Sequence, residues 1–252
     1  MQFDALIAGG GHASWLKEYA GTDIRLLAKI KNKRFVDYII EALKSSGYIN
    51  KICICVPPEA VEELRATTPD YCEVREAGNG LPHTCLVGSE NIGEENPQVL
   101  VVCDDIPMLT GEAVADFLKQ CEAFPHGELI YPINKQEVCL KKYPDATRTY
   151  GKSSHGSFTG GNMMLVDKRV MPRGQVKANE IFARRKNPFS LASWLGWSFI
   201  FKLVMHKLSV ADVEKRVTEL MEMESHAIFS DYPEIGMDVD KPSDFKLAEK
   251  YL

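Results

Sequence analysis

The sequence of 252 residues lacks several patterns that would assign it to a class at once. It has no Cys-x-x-Cys pair, which argues against a zinc site and against a thioredoxin-type redox centre. It has neither GxxxxGK[S/T], the loop of P-loop nucleotide hydrolases, nor GxGxxG, the fingerprint of dinucleotide-binding folds. No charged and then apolar leader with a cleavage site opens the chain, so we expect a cytoplasmic protein.

The sequence also lacks an excess of basic residues. It has 30 Lys and Arg against 35 Asp and Glu, a formal net charge of -5. Because duplex nucleic acid is bound mainly through basic contacts to phosphates, we expect no nucleic-acid partner. The seven cysteines are odd in number, and several lie in apolar runs such as ICICV at 52–56, as buried thiols in a reducing compartment do.

Long hydrophobic runs are absent as well. The apolar stretch 189–201 ends at Lys202 after 13 residues, short of the ~20 that a membrane-spanning helix needs. Basic residues precede its aromatic ones, so contact of residues 184–208 with a membrane surface is an alternative. We favour the simpler interpretation, a buried helix packed within the protein.

Apolar segments that suit strands alternate with segments that have helical spacing. This order predicts an α/β fold with a doubly wound, mostly parallel sheet and helices on both faces. Ligands of such sheets bind beyond the carboxyl ends of the strands. The predicted strands are Phe3–Ala8, Lys51–Val56, Val99–Cys103, Glu128–Pro132 and Met163–Val166, with Val99–Cys103 central and parallel. The predicted helices are Phe35–Ser46, Pro58–Ala66 and Gly111–Cys121, the last capped by Thr110.

The whole chain, 1–252, is expected to form a single domain. Between about 174 and 226 the pattern becomes helical and shows no convincing strand, which predicts a helical insertion within that domain. From Ile235 the chain is expected to return to the main domain as a turn, a short extended piece and a closing helix.

Three glycines, Gly9–Gly11, follow the first predicted strand directly. Adjacent glycines weaken regular structure, but without Cβ atoms their N–H groups can approach phosphate oxygens closely. Basic residues follow, among them Lys17 and Arg25, and could neutralise a polyphosphate. The alternative is a tight turn followed by a solvated basic face.

Two aspartates, Asp104 and Asp105, end the apolar strand in VLVVCDDIPMLT. Carboxylates at the end of a buried strand are costly unless they are solvated or paired with a cation. Mg²⁺ commonly takes one or two carboxylates together with substrate phosphates, so we favour a metal site here. The alternative is a strand-end turn in which one aspartate caps a backbone N–H.

Two further segments carry polar side chains at predicted turns. Asp238 and Asp240 lie in GMDVDKPSDF, before a helix start marked by Pro242. Gly161 and Asn162 lie in TGGNMMLVD, before an apolar strand, where a small-residue turn with an amide can hold a substrate hydroxyl or phosphate. For the acidic segment, capping of the following helix is the alternative.

These segments, in this order, resemble the MobA-like NTP transferases, the family of the molybdenum-cofactor guanylyltransferases. The resemblance covers about residues 1–170 and 230–252. It implies a GT-A-like fold, related to the Rossmann type, in which AGGG, Ala8–Gly11, wraps the triphosphate of a nucleotide. The helical insertion lies outside the resemblance.

The resemblance also implies roles for individual residues. Asp105 and Asp240 are the implied metal ligands, with Asp238 as the second choice. GNGLPHTCL resembles the segment that holds the nucleoside, and Gly161 and Asn162 the segment near the acceptor substrate. The implied nucleotide-binding residues are Ala8, Gly9, Gly10, Gly11, Gly78, Asn79, Gly80, Thr84 and Asp104, and the implied catalytic residues are Lys17, Arg25 and Asp105.

The sequence departs from the family pattern at three points. The family has an arginine soon after the glycines, where this chain reads GGGHASWLK, and Lys17 is the candidate to replace it. The lysine of the family pattern appears as Arg25, without the proline that follows in the family. Asp104 stands where the family pattern has glycine.

The function implied is a nucleotidyltransferase that uses Mg²⁺ as cofactor. A phosphorylated small-molecule acceptor, such as a sugar phosphate or an alcohol phosphate, would attack the α-phosphate of an NTP and release pyrophosphate. Two alternatives remain open at this point. One is a GT-A glycosyltransferase that uses a nucleotide sugar, and the other is a non-catalytic nucleotide-binding protein on the same fold.

Overall fold

The structure is a computed structural model, and it describes residues 1–154, 156–184 and 195–252. Its strands are β1 Phe3–Ala8, β2 Lys29–Ile30, β3 Lys33–Arg34, β4 Ile49–Val56, β5 Cys72–Glu76, β6 Gln98–Cys103, β7 Leu129–Lys135, β8 Gly151–Ser153, β9 Gly156–Gly160, β10 Met163–Asp167 and β11 Ser225–Phe229. Its α-helices are α1 Leu16–Ala20, α2 Phe35–Ser45, α3 Val61–Thr67, α4 Leu81–Gly88, α5 Gly111–Cys121, α6 Gln136–Lys142, α7 Met171–Arg184, α8 Trp197–Val204, α9 Val210–Met221 and α10 Pro242–Tyr251.

The described strands form a nine-stranded sheet and a small two-stranded one, β2 with β3. The main sheet has the order β5-β4-β1-β6-β10-β7-β9-β8, and β11 pairs with β7 in parallel. Strands β5, β4, β1 and β6 are parallel to one another, whereas β10 runs antiparallel to β6 and to β7.

Burial along β1 shows that the sheet is covered on both faces. Ala5 and Ile7 lie in one core with residues of α2, α3 and α5, while Leu6 and Ala8 lie in a second core with residues of α4 and α7. Successive strand residues point to opposite faces of the sheet. The run Ala5–Ala8 is therefore apolar throughout because helices cover both faces. The predicted α/β fold class, with helices around a central sheet, is confirmed.

Two details of the sheet differ from the prediction. The strand that ends at the two aspartates, β6, is central but parallel only to β1, because its other neighbour is the antiparallel β10. The strands β5, β8, β9 and β11 were not predicted, since each has five residues or fewer and little apolar pattern. The antiparallel pairing beside β6 and the pairing of β11 with β7 join segments far apart in the chain, which local pattern does not encode.

Helices α7, α8 and α9 lie in the region predicted as a helical insertion, and residues 185–194 of that region lie outside the described residues. The favoured prediction of a buried helix and the alternative of membrane-surface contact through 184–208 therefore both fall partly on residues that the structure does not describe. In the described ranges, no helix combines the length and apolarity needed to cross a bilayer.

A third core cluster fixes the end of the chain against the start of the domain. Residues of α1 and α10 pack together, and Met237 and Val239 are buried among them. This packing places the acidic residues Asp238 and Asp240 next to the loop that follows β6, where the Val239 N–H donates to the Asp105 carbonyl oxygen at 2.8 Å.

Candidate active site

The three glycines after β1 differ in what surrounds them. Gly9 is buried, its N–H donates to the Cys55 carbonyl at 2.9 Å, and a Cβ there would lie 2.3 Å from Leu26 Cδ1. A Cβ on Gly10 or Gly11 would meet side chains at 3.1 Å or more. Close packing therefore requires glycine at the first position, is tight against Ala77 at the second, and leaves ordinary contact distance to Arg25 and Asp104 at the third.

Asp104 and Asp105 are both buried at the end of β6, where the sheet changes from parallel to antiparallel pairing. Arg25 Nη1 donates to Asp105 Oδ2 at 2.9 Å and lies 3.8 Å from Asp104 Oδ1. The glycine turn lies against the Asp104 carboxyl, since a Cβ on Gly11 would be 3.7 Å from Asp104 Oδ2. The glycine turn, Arg25 and both aspartates thus meet at one point of the fold.

Asp240 joins the same group from the far end of the chain. Arg25 Nη2 donates to Asp240 Oδ1 at 2.9 Å, so a single guanidinium binds the two residues expected to hold the metal. Asp240 is more exposed than Asp105, with side-chain exposures of 55% and 12%. The structure therefore brings Asp105 and Asp240 together, with Arg25 between them.

Asp238 bonds to different partners. It forms an ion pair with Arg148, and Asn162 Nδ2 donates to its Oδ1 at 3.3 Å. Asn162 is held in turn by its main chain, which donates to the Ile235 carbonyl and accepts from the Cys103 N–H, both at 2.9 Å. The bond between Asn162 and Asp238 thus connects the predicted acceptor segment to the segment that carries Asp238 and Asp240.

The carboxyl groups at the end of β6 titrate abnormally. Burial, reinforced by the charge of Asp105, raises the pKa of Asp104 to about 7. Burial also raises the pKa of Asp105, while the Arg25 guanidinium opposes this and the Asp240 carboxylate adds to it. Arg25 therefore compensates only part of the negative charge of Asp104 and Asp105. An excess of buried negative charge of this kind is typical of sites that bind a further cation.

The segment predicted to hold the nucleoside lies beside the glycine turn. Gly80, in the left-handed region with φ of 80°, precedes α4, and a Cβ on Gly78 would lie 2.6 Å from the His83 carbonyl carbon. Thr84 is buried and its hydroxyl donates to the Gly78 carbonyl at 3.2 Å, while the Asn79 N–H donates to His83 Nδ1 at 2.9 Å. Folding of the loop onto α4 by itself explains both glycines.

The predicted catalytic residue Lys17 lies apart from the aspartates just described. Its Nζ pairs with Asp23 Oδ2 at 3.2 Å, and its side chain is 65% exposed. His12 also lies near Asp23, at 3.7 Å. The structure brings Arg25, but not Lys17, into contact with the acidic group at the end of β6.

Two neighbours of the site escaped the sequence-based prediction. Arg148 lies in the irregular segment between α6 and β8, which has no motif, and pairs with Asp238 90 residues away. Glu234, 1% exposed, accepts from Thr110 Oγ1 at 3.1 Å and pairs with Lys142 Nζ at 3.0 Å. No local signal in TRTY or PEIG marks these residues, because their partners are distant in sequence.

A divalent metal fits the residues at the end of β6. Asp105 Oδ1 is buried and has no hydrogen-bond partner among the described residues, so a cation there would satisfy it. The described residues contain no group of three or more His, Cys, Asp or Glu side chains placed to hold a metal. A metal held by Asp105 and Asp240 would thus need phosphate or water oxygens as further ligands, as Mg²⁺ ordinarily has.

Comparison with known proteins supports the resemblance seen in the motifs. A model of the MobA-like NTP transferase domain matches residues 5–185. The bifunctional protein GlmU of Staphylococcus saprophyticus is 21% identical over 201 residues, which are 72% of this chain and 44% of that protein. This chain thus spans less than half the length of the curated relative.

Solved structures agree with this match. A hypothetical transferase from Thermus thermophilus is 31% identical, with a TM-score of 0.79 over 97% of this chain and 100% of that one. The 2-C-methyl-D-erythritol 4-phosphate cytidylyltransferase of the same organism shares the fold at 14% identity, with a TM-score of 0.58 over 99% and 98% of the two chains. The chain belongs to the family of MobA-like NTP transferase domains.

Proposed function

We propose that the protein is a nucleotidyltransferase that moves an NMP from an NTP to a phosphorylated small-molecule acceptor and releases pyrophosphate. The observation that carries the proposal is the convergence of the glycine turn, Asp105 and Asp240 on one guanidinium, that of Arg25. Anion-binding main chain and cation-binding carboxylates side by side suit a triphosphate with its metal.

The nucleotide would bind along the turn of Gly9–Gly11. The exposure of Gly10 supports this, since without a side chain its N–H group lets phosphate oxygens approach closely. Arg25 adds a guanidinium that can bind phosphate with two parallel hydrogen bonds. The segment Gly78–Thr84 is adjacent to the turn, since a Cβ on Gly10 would lie 3.8 Å from Thr84 Oγ1, and would hold the nucleoside.

We assign the metal, Mg²⁺, to Asp105 and Asp240, which share the Arg25 guanidinium at the end of β6, and keep Asp238, which pairs with Arg148, as the second choice. A bound ion would supply positive charge that offsets the negative charge of the substrate phosphates and of the departing pyrophosphate. The protein's own residues hold the two anionic substrates in line, and positioning of this kind accounts for much of the catalysis in phosphoryl-type transfers.

The acceptor would bind at Gly161 and Asn162. Two main-chain bonds fix the backbone of Asn162, and Asp238 orients its side-chain amide, so the amide is a positioned hydrogen-bonding group next to a carboxylate. A phosphate nucleophile is already ionised at neutral pH, so the site needs no general base. The name of one structural neighbour, a methylerythritol phosphate cytidylyltransferase, describes an acceptor of this chemical class.

Pyrophosphate release from each of the four NTPs, with Mg²⁺ and a panel of sugar and alcohol phosphates, tests the proposal. Asp105→Asn should lower turnover at least about 100-fold, because charge-neutralising groups contribute roughly 10²–10³ to such rates. Asp70→Asn, an exposed residue in the turn before β5, is the matched control and should retain the full rate. Release that is unchanged in Asp105→Asn, or tight NTP binding without turnover on any acceptor, would contradict the proposal.

A further inference from the structure

The Arg25 guanidinium binds the same two carboxylates to which the proposed function assigns the metal. Its Nη1 lies 2.9 Å from Asp105 Oδ2, and its Nη2 lies 2.9 Å from Asp240 Oδ1. The bond to Asp105 joins side chains that are 23% and 12% exposed, so it is partly shielded from solvent, whereas the bond to Asp240 is open to solvent. One planar cation therefore joins two acidic residues that lie 135 positions apart in the sequence.

The same guanidinium lies against the glycine turn. A Cβ on Gly11 would be 3.7 Å from Arg25 Nη1 and 3.7 Å from Asp104 Oδ2. Arg25 Nε is buried and has no hydrogen-bond partner among the described residues. The group thus has unused donor capacity and needs only a short movement to reach phosphate oxygens bound at the turn.

The Arg25 guanidinium and a divalent metal ion would compete for the same carboxylates, because both are cations. Within 4 Å of the Arg25 guanidinium lie three carboxylates, those of Asp104, Asp105 and Asp240, at 3.8, 2.9 and 2.9 Å. A divalent ion on Asp105 and Asp240 would take electron density from the oxygens that accept the guanidinium N–H groups, and the two cations would repel each other. A triphosphate supplies other acceptors for the guanidinium.

We infer that Arg25 is the resident counter-ion of the Asp105–Asp240 pair and that nucleotide binding moves its guanidinium from the carboxylates to the phosphates. Divalent metal then binds tightly only together with the nucleotide. This inference rests on the proposed function, since it uses the assigned metal and triphosphate positions. Linkage requires the coupling to be reciprocal, so the metal strengthens nucleotide binding by the same factor.

The first test is titration with Mn²⁺ alone, followed by electron paramagnetic resonance of the free ion. Arg25→Gln removes the competing cation, and we expect it to bind Mn²⁺ about tenfold more tightly than the unmodified protein. Arg65→Gln is the matched control, because Arg65 pairs with Glu62 on α3 and its loss changes net charge equally. Its affinity for Mn²⁺ should stay within about twofold of the unmodified protein.

The second test adds a non-hydrolysable NTP analogue, with correction for the Mn²⁺–analogue complex in solution. The analogue should increase the Mn²⁺ affinity of the unmodified protein by a larger factor than that of Arg25→Gln. Should Arg25→Gln fail to fold, Arg25→Lys replaces it, because one ammonium cannot bridge both carboxylates in the geometry of a planar fork.

Three results would overturn the inference. The first is an Arg25→Gln variant that binds Mn²⁺ no more tightly than the unmodified protein. The second is tight Mn²⁺ binding that persists in the double variant Arg25→Gln, Asp105→Asn. The third is an NTP analogue that raises the Mn²⁺ affinity of Arg25→Gln and of the unmodified protein by the same factor. None of these readouts depends on turnover. Failure of the proposed function would appear instead as absent pyrophosphate release, so the two failures are distinguishable.

Discussion

The three glycines after β1 have separable roles at the scale of single residues. At Gly9 a Cβ would overlap Leu26 and approach the Cys55 carbonyl at 2.9 Å, whereas at Gly10 the nearest atom, Ala77 Cβ, is at 3.1 Å. The first glycine is therefore a packing requirement of the core, and the second is a requirement of the open site. A stability measurement and a binding measurement should separate them.

Gly9→Ala should lower the free energy of unfolding by about 1–3 kcal/mol, because the added methyl group overpacks the core. Gly10→Ala should change stability by about 1 kcal/mol or less, because the added methyl group meets only Ala77 closely, yet weaken NTP binding at least about fivefold, because a side chain in the turn hinders close approach of phosphate to the main chain. Urea denaturation and calorimetric titration with NTP and Mg²⁺ measure the two effects. Equal NTP affinity for Gly10→Ala and the unmodified protein would contradict the assigned triphosphate position.

The buried Asp104 predicts a pH dependence of stability. Its pKa is raised to about 7 from an ordinary 3.8, so the folded state holds a proton that the unfolded chain has lost between these values. The contribution of Asp104 is complete below about pH 4 and is lost as pH rises through about 7. Asp104→Asn should therefore raise the melting temperature at about pH 8 and have a smaller effect at about pH 4, with metal and nucleotide absent. A difference that does not grow with pH would contradict this.

At the scale of elements, the start of α5 joins two parts of the site. Thr110 Oγ1 accepts from the Ala113 N–H at 3.3 Å as helix cap and donates to the buried Glu234 carboxylate at 3.1 Å. The N-terminus of α5 is thus linked through Glu234 to the segment that carries Asp238 and Asp240. The predicted capping of α5 by Thr110 is confirmed. The bond from Thr110 to Glu234 is a tertiary contact that the sequence did not predict.

Thr110→Ala should destabilise the protein by about 2 kcal/mol, because it removes the helix cap and a donor to a buried carboxylate together. Thr110→Ser keeps the hydroxyl and should lose less than about 1 kcal/mol. Urea denaturation of the two variants gives the comparison. Equal losses for serine and alanine would show that the methyl group of Thr110, and not its hydroxyl, contributes the stability.

At the scale of the whole molecule, the proposed ligands bind across segments from both ends of the chain. An NTP with Mg²⁺ at about 100 times its dissociation constant should stabilise the folded state by ~2.7 kcal/mol, or about 5–10 °C in melting temperature for a chain of this size. In Asp105→Asn the rise should be less than half as large. A thermal-shift series over the four NTPs, with and without Mg²⁺, measures this, and equal rises in both proteins would contradict the metal assignment.

Sequence patterns were sufficient for the elements that are strongly apolar and bounded by turns. Strand β1 and helix α5 match their predicted bounds, and β4 and β6 differ at one end only. The short strands β5, β8, β9 and β11 were missed. The change of direction beside β6 was not foreseen, because it depends on which neighbour the strand meets. Local propensity carries no information about that neighbour.

The sequence by itself determined the α/β class, the family and the segments that carry the candidate chemistry, since these follow from periodicity, glycine placement and short motifs. Only the tertiary structure decided that Arg25 bonds to Asp105 and Asp240, 80 and 215 residues away, and that Arg148 takes Asp238. The physical reason is that ion pairs form between side chains brought together by packing of the whole chain. Their sequence separation leaves no local trace.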